Sequence, residues 1–305
     1  MLTRYWIQEG KLVQQGEEPA PVLVYMDPDE VERRHLVDEY KLDEHTLASA
    51  LDPDELARLE FEPDHAALIY KRPTSFQQDG RFLFRVASTG LFLFSGRLIV
   101  VQAKEPPSFD GRLFLRIGSI QGLALRMISR AVSHYLEHLK VINVATDELE
   151  DKVNSSLENR YLIYMFVLQK SLVYYLSSIS SNSGLIERLR NSATKLALGA
   201  ESQEMLDDLG IENNQCYKQA EIYSSILASL MDARASIVSN NINVLMKTLN
   251  FVTIAIMVPT FVVSAFSMNV RIPLAEYPVA FWIVMGLAAL SAVAWIVIWR
   301  RWRWL

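Results

Sequence analysis

A single cysteine, Cys216, leaves this 305-residue chain without an internal disulfide and suits a reducing compartment. There is no Gly-rich phosphate loop, no dinucleotide fingerprint and no Gly-x-Ser-x-Gly elbow. Nucleotide-driven work and the common nucleophile chemistries are therefore not expected, and the chain reads as something other than an enzyme. No basic stripe with interleaved aromatics occurs, which speaks against a nucleic-acid partner. The opening residues, Met1-Leu2-Thr3-Arg4-Tyr5-Trp6, hold no apolar h-region, so no cleaved signal peptide is expected. The most telling absence is of charge. Thr248–Val270 and Tyr277–Trp299 are two apolar runs of 23 residues, each without a single Asp, Glu, Lys or Arg.

About 20 helical residues cross the hydrocarbon core of a bilayer, so each run is long enough to span it. The few residues between them allow only a tight turn on the far side. Arg300-Arg301-Trp302-Arg303 follows the second run at once, and the positive-inside rule places this end in the cytoplasm. Two spans return the chain to its starting side, so the large polar N-terminal part is expected there too. The formal charge of −5 hides an asymmetry, because Asp27–Asp64 carries 14 carboxylates against four Arg and Lys. Such a block reads as a solvated helical surface, or as a face that attracts cations.

Residues 1–116 read as a mixed α and β domain. Val22–Met26, Ala67–Tyr70, Leu91–Phe94 and Leu98–Val101 are short β-prone runs, the last two joined by a hairpin turn at Ser95-Gly96-Arg97. Asp29–Tyr40 and Asp43–Ala50 carry helix start signals. Residues 117–200 read as a helical bundle: Ser119–Ser155, then Leu157–Ile179, a turn at Ser180-Ser181-Asn182-Ser183-Gly184, and a shorter helix over Leu185–Leu198. From Ile211 to Met268 there is no Gly and one Pro, Pro259, which allows a single long helix. The expected order is thus a stalk over 201–247, a first span over 248–269, an outer loop over 270–277, a second span over 278–299 and a basic tail over 300–305. A helix of that length needs neighbours along it, and oligomerisation is the simplest supply.

The polar residues of the first span fall in a pattern. Asn250, Thr253, Thr260, Ser264 and Ser267 recur at steps of three and four with Met257 filling the gap, and Asn243 and Met246 extend the seam inward. A period of 3.5 puts all of them on one stripe. The second span has few polar side chains, which suggests first helices around an axis and second helices against lipid. Ser, Thr and Asn also serve plain helix packing in membranes. If the stripe lines a pore, it holds no carboxylate or imidazole to strip an ion of water. Magnesium, which gives up water reluctantly, is then the natural cargo. Rings of Met246, Leu249 and Met257 could close such a pore by dewetting.

Asn243-x-x-Met246-Lys247-x-Leu249, Pro259-Thr260 and Met268-Asn269 before a short loop resemble the CorA family of divalent-cation transporters. Asp147–Val153, Leu168–Leu172 and Asp232-x-x-x-Ser236-x-x-Ser239-Asn240 resemble its cytoplasmic helices, and Tyr40-Lys41-Leu42-Asp43 its first module. The resemblance implies an α+β cytoplasmic domain of α/β/α build, a long stalk helix and two transmembrane helices. It implies a homopentameric funnel in the inner (plasma) membrane of a bacterial cell, with both termini cytoplasmic. The implied roles are a selectivity loop at Ser267, Met268 and Asn269, and an inner constriction at Asn243, Met246 and Leu249. No cofactor is implied beyond the divalent cation itself, transported and regulatory; the partners are the chain's own copies and the bilayer.

Two departures stand out. Ser267 occupies the place of the family's Gly, and Ser resists backbone conformations that Gly permits. Arg271 at the outer mouth opposes cation accumulation unless Glu276 offsets it. Both point to a divergent, ZntB- or CmaX-like branch, where Zn2+, Co2+ or Ni2+ competes with Mg2+ as cargo, or to a poorly conducting divalent-cation sensor or scaffold. For Asp207-Asp208 the resemblance implies part of an intersubunit regulatory metal site, while the residues themselves read as acidic groups favourable at a helix N-terminus. His134-Tyr135-Leu136-Glu137-His138 matches a zinc-peptidase pattern, but inside a bundle helix it reads as ordinary exposed helix chemistry.

Overall fold

In the computed structural model the described residues are 1–14, 19–78, 81–155, 159–269 and 277–302. In chain order they form β1 (Leu2–Gln8), β2 (Lys11–Val13), β3 (Val22–Met26), α1 (Glu30–Tyr40), α2 (Glu44–Ser49), β4 (Arg58–Phe61), β5 (His65–Gln78), β6 (Arg81–Phe94), β7 (Arg97–Gln102), α3 (Ile120–Ser155), α4 (Asn159–Asn191), α5 (Ala200–Phe266) and α6 (Ala280–Trp302). The chain divides into two compact units, Met1–Met231 and Asp232–Leu305.

The first unit is built on a seven-stranded sheet in the order β2-β1-β3-β7-β6-β5-β4. All neighbours are antiparallel except β3 and β7. Alternation along the strands sorts the side chains to two faces. Leu23, Tyr25, Phe92, Ile99 and Val101 meet Leu36 of α1, Leu42 of the turn after it and Leu47 of α2. Val22, Val24, Leu68, Leu91, Leu98 and Val100 meet Leu123, Val132 and Leu139 of α3 and Leu172 and Ile179 of α4, with Leu206 and Leu209 of α5 in the same core. This is the expected α/β/α sandwich. The β6–β7 hairpin turns at Ser95-Gly96, where Gly96 takes a φ of 92° that an L side chain resists. Gly90 has a different reason: a Cβ there would lie 2.5 Å from that of buried Ala50, so the end of α2 needs a glycine beneath it.

Helix starts follow their caps. Asp29 accepts from the Glu32 N–H at 2.8 Å, and the Glu32 carboxylate accepts from the Asp29 N–H at 3.3 Å, closing a capping box on α1. Asp43 caps α2 through the Thr46 N–H at 2.8 Å.

The expected turn at Ser180–Gly184 is not a turn. Helix α4 runs straight through it, and the Leu185–Leu198 segment belongs to the same helix as far as Asn191 before bending away. The polar residues that suggested a turn are spent on tertiary hydrogen bonds. Strand β4 begins at Arg58, opposite Ile69, so Lys71 two residues on has no β4 partner. The buried Asn182 amide takes that place: Oδ1 accepts from the Lys71 N–H and Nδ2 donates to the Lys71 carbonyl, each at 2.8 Å. Ser181 Oγ accepts from the Ala57 N–H at 2.6 Å. Ser183 Oγ accepts from Asn213 Nδ2 of α5 at 2.8 Å. The Lys71 ammonium is itself buried, donating to the Pro53 carbonyl at 2.6 Å and Ser88 Oγ at 3.0 Å.

His138 also corrects an expectation. It is buried in the α3–α4 core rather than exposed, with Nδ1 2.5 Å from the Tyr175 hydroxyl and its ring stacked on that of Tyr175. His134 lies one turn away, ring centroids 4.3 Å apart. Burial, and then the neighbouring His134, push the His138 imidazole down to about 4. The folded protein therefore keeps this ring neutral in a range where the unfolded chain, near 6.5, takes a proton. The contribution of His138 to stability is level above pH 6.5 and falls as pH drops from there toward 4, by about 3 kcal/mol over the whole window. His65 and His134, both lowered chiefly by burial, add in the same direction. Melts of the purified protein should lose stability between pH 6.5 and 4.5, and H138F should flatten that slope; parallel slopes would refute this assignment.

Candidate ion pathway

Three helices among the described residues are long and apolar enough to cross a membrane: α4 from Arg160, α5 and α6. The apolar side of α4 is committed to the first unit's core through Met165, Leu168, Leu172, Tyr175 and Ile179. That leaves the last part of α5 and α6, the two expected spans.

Within the second unit the positions of α5 divide by face. Phe251, Ile254, Ala255, Val258, Val262 and Phe266 are half-buried. At the inner end α6 covers this face: the Phe251 ring stacks on Trp299 with centroids 4.2 Å apart and on Trp295 at 6.1 Å. At 3.6 residues per turn the opposite side carries Asn243, Met246, Leu249, Asn250, Thr253, Met257, Thr260 and Ser264, every one exposed. The structure thus brings the predicted stripe together on the face opposite these half-buried positions. Towards its end, Thr260, Ser264 and Ser267 also border an open groove of about 650 Å³ against Met285, Ala288, Ala289 and Ala292.

The hydroxyls on the stripe have a defined polarity. Thr253 Oγ1 donates to the Leu249 carbonyl at 2.9 Å and Thr260 Oγ1 to the Ile256 carbonyl at 2.7 Å. With the proton turned onto the backbone, each threonine presents oxygen lone pairs outward, as an acceptor. Pro259 lies inside the helix and lacks the N–H that would bond the carbonyl four residues back. Helix α5 ends at Phe266; the Ser267 N–H makes a tighter bond to the Ser264 carbonyl at 3.1 Å, and Met268 and Asn269 follow, both exposed. Arg271 and Glu276 lie outside the described residues.

Asp207 and Asp208 lie in the first unit. They are not at a helix N-terminus: α5 begins at Ala200, and both carboxylates project from a later turn, beyond the reach of the end dipole. Asp207 pairs with Arg190 of α4 at 2.7 Å, both side chains more than half exposed, and Asp208 is exposed. Such a pair contributes little stability. Sequence reasoning missed Arg190, whose only signal was a basic residue in the last turn of α4. Among the described residues no group of three His, Cys, Asp or Glu is placed to hold a metal ion.

A family profile described as "CorA-like Mg2+ transporter protein" matches residues 23–301, nearly the whole chain. The chain belongs to the CorA family of divalent-cation transporters. The "Cobalt/magnesium transport protein CorA" of Methanocaldococcus jannaschii is 26% identical over 290 residues, covering 92% of this chain and 89% of that protein. The complete structure of that organism's CorA magnesium transporter superposes with a TM-score of 0.82 at 25% identity, over 98% of this chain and 96% of the other. Full-length CmaX shares the fold at a TM-score of 0.71 and 15% identity, covering 98% and 97% of the two chains. The ZntB cytoplasmic domain from Vibrio parahaemolyticus shares it at 0.57 and 15% identity, covering 77% and 97%. The family is one of transporters, and its fold agrees with the α/β domain, long helix and two apolar helices described above.

Proposed function

We propose that the chain forms a homopentameric inner-membrane channel that passes magnesium with much of its water shell, with both termini in the cytoplasm. The observation that carries this reading is the exposed stripe on α5, which offers amide, hydroxyl and thioether groups but no carboxylate or imidazole. Amide and hydroxyl oxygens can bond an ion's water without demanding its removal, which suits a cation that dehydrates reluctantly. A ring of Asn269 at the outer end receives the hydrated ion. Rings of Met246, Leu249 and Met257, all exposed, close the path by dewetting. The similarity to a cobalt/magnesium transport protein supports magnesium first. A zinc, cobalt or nickel pathway, or a poorly conducting divalent-cation sensor, is the second reading, favoured by Ser267 at the position of the family's Gly. The outer-mouth charges Arg271 and Glu276 enter that second reading on sequence grounds alone.

Flux into proteoliposomes tests this. Magnesium uptake above empty vesicles, exceeding that of zinc, cobalt and nickel, is expected. Metal binding without uptake would identify a sensor instead. Mass measurement in mild detergent should give a closed pentamer, and a monomer or dimer would defeat the pore reading.

Gating follows from Asp207 and Asp208 meeting carboxylates of a neighbouring copy. A divalent ion between subunits offsets their repulsion, and its loss loosens the ring. Millimolar magnesium should protect the stalk from protease, and D208K should reproduce that protection without the metal. Identical digestion with and without magnesium would remove this mechanism.

A further inference from the structure

In the first unit, parallel neighbours β3 and β7 send their chains to opposite faces of the sheet. After β3 the chain enters α1, whose Leu36 packs on one face; after β7 it enters α3, whose Leu123 and Val132 pack on the other. Open sheets form crevices beyond the carboxyl ends of strands at such points, and ligands favour them. A cavity of about 150 Å³ lies to the α3 side of this point, past Gln102, the last residue of β7, and its lining comes from β5, α3 and the chain leaving β7 rather than from β3. Its floor is Tyr70 and Arg72 of β5, its wall Arg130 and His134 of α3, and its roof the segment from Glu105 to Ser108.

The charges in it are arranged unequally. Arg72 is nearly buried and held in place, Nε donating to Thr89 Oγ1 at 3.2 Å and a terminal nitrogen to the Ala103 carbonyl at 2.7 Å. Its other terminal nitrogen reaches Glu105 at 3.4 Å, a long contact to a carboxylate that is half exposed. Arg130 bonds Glu137 at 3.1 Å, also on the exposed side. Buried Gln102 donates to the Glu105 carbonyl and so fixes the roof. Two guanidinium groups thus line a small cavity, and the acid in its lining, Glu105, reaches one of them, Arg72. Arginine forks bind carboxylate and phosphate through paired N–H bonds.

We propose that this crevice binds a small oxyanion, inorganic phosphate or a short-chain carboxylate, between Arg72 and Arg130, with Glu105 as the internal competitor it displaces. The volume admits only a handful of heavy atoms and excludes a nucleotide, which needs a pocket several times larger. The site is independent of the transport reading, since all its residues lie in the first unit.

The test is calorimetric titration of the full chain in detergent with sodium phosphate, sodium succinate and, at matched ionic strength, sodium chloride. One oxyanion should bind saturably in the millimolar range while chloride does not, and the tighter of the two identifies the source. R130Q should weaken binding about tenfold, the loss of a charge-assisted bond. E105Q should tighten it about fivefold by removing a like charge from the cavity. R34Q on the far face of the sheet should leave it unchanged. If R130Q fails to fold, the E105Q arm decides alone. No saturation above chloride by either oxyanion, or an E105Q affinity equal to that of the parent, overturns the proposal.

Discussion

Replacing Asn269 by alanine should reduce divalent uptake to the level of empty vesicles while the protein still assembles. Asn269 is exposed and stands three residues past the last helical position of α5, so it buries nothing and its loss leaves no cavity. What is lost is chemistry. A ring of amide oxygens can accept hydrogen bonds from an ion's coordinated water, and the amide is neutral, so the ion is held without being trapped. Alanine offers no acceptor, and each subunit of the proposed ring loses its contribution together. Aspartate makes the contrasting case: N269D should still bind the cation, more tightly, and slow its release, because conduction needs sites that let the ion leave. Uptake by N269A within about twofold of the parent, a change of under half a kcal/mol, would show that selectivity lies elsewhere on the stripe.

N182A should be the most destabilising single change in the first unit outside its apolar core. The Asn182 side chain satisfies both the N–H and the carbonyl of Lys71 at 2.8 Å, in a position with no exposure to water. Truncation orphans two buried backbone groups, costing roughly 2–4 kcal/mol together. For a unit of this size that lowers Tm by about 5–12 °C. Amide exchange at Lys71 should accelerate in parallel. By comparison, S183A removes one side chain from a shared pair of bonds and should cost about 1 kcal/mol. A Tm within a degree of the parent would mean that water replaces the amide.

Much of this architecture is legible in the residues because the relevant signals are local. Val22–Met26 forms β3 as read, the hairpin turns at Ser95-Gly96, and Asp29 and Asp43 cap the helices they announce. The stripe from Asn243 to Ser264 is legible for the same reason: periodicity alone assigns a face, while Phe251 on the other stacks on α6. What was not legible depends on distant partners. Ser180–Gly184 has turn composition, and only the missing β4 neighbour of Lys71 explains why a helix needs those side chains. Strand β1 mixes Arg4, Trp6 and Gln8 without a clear alternation and is held by its pairing with β3. His138 looked exposed because nothing in α3 itself says that Tyr175 faces it. Asp207 looked like a helix start because the glycine-free run begins only at Ile211, whereas α5 starts at Ala200.

The amide of Asn182 also sets an order of events during synthesis. Lys71 and Asn182 are 111 residues apart, and Ala57 and Ser181 are 124 apart. The ribosome delivers the strands well before α4, so for several seconds at ordinary elongation rates the edge of β5 beyond Ile69 lacks the partner that will close it. An open strand edge is a template for pairing with another chain. The sheet is thus a late product of its own helix, and conditions that slow translation between residues 78 and 182 should favour aggregation of the nascent chain over its completion.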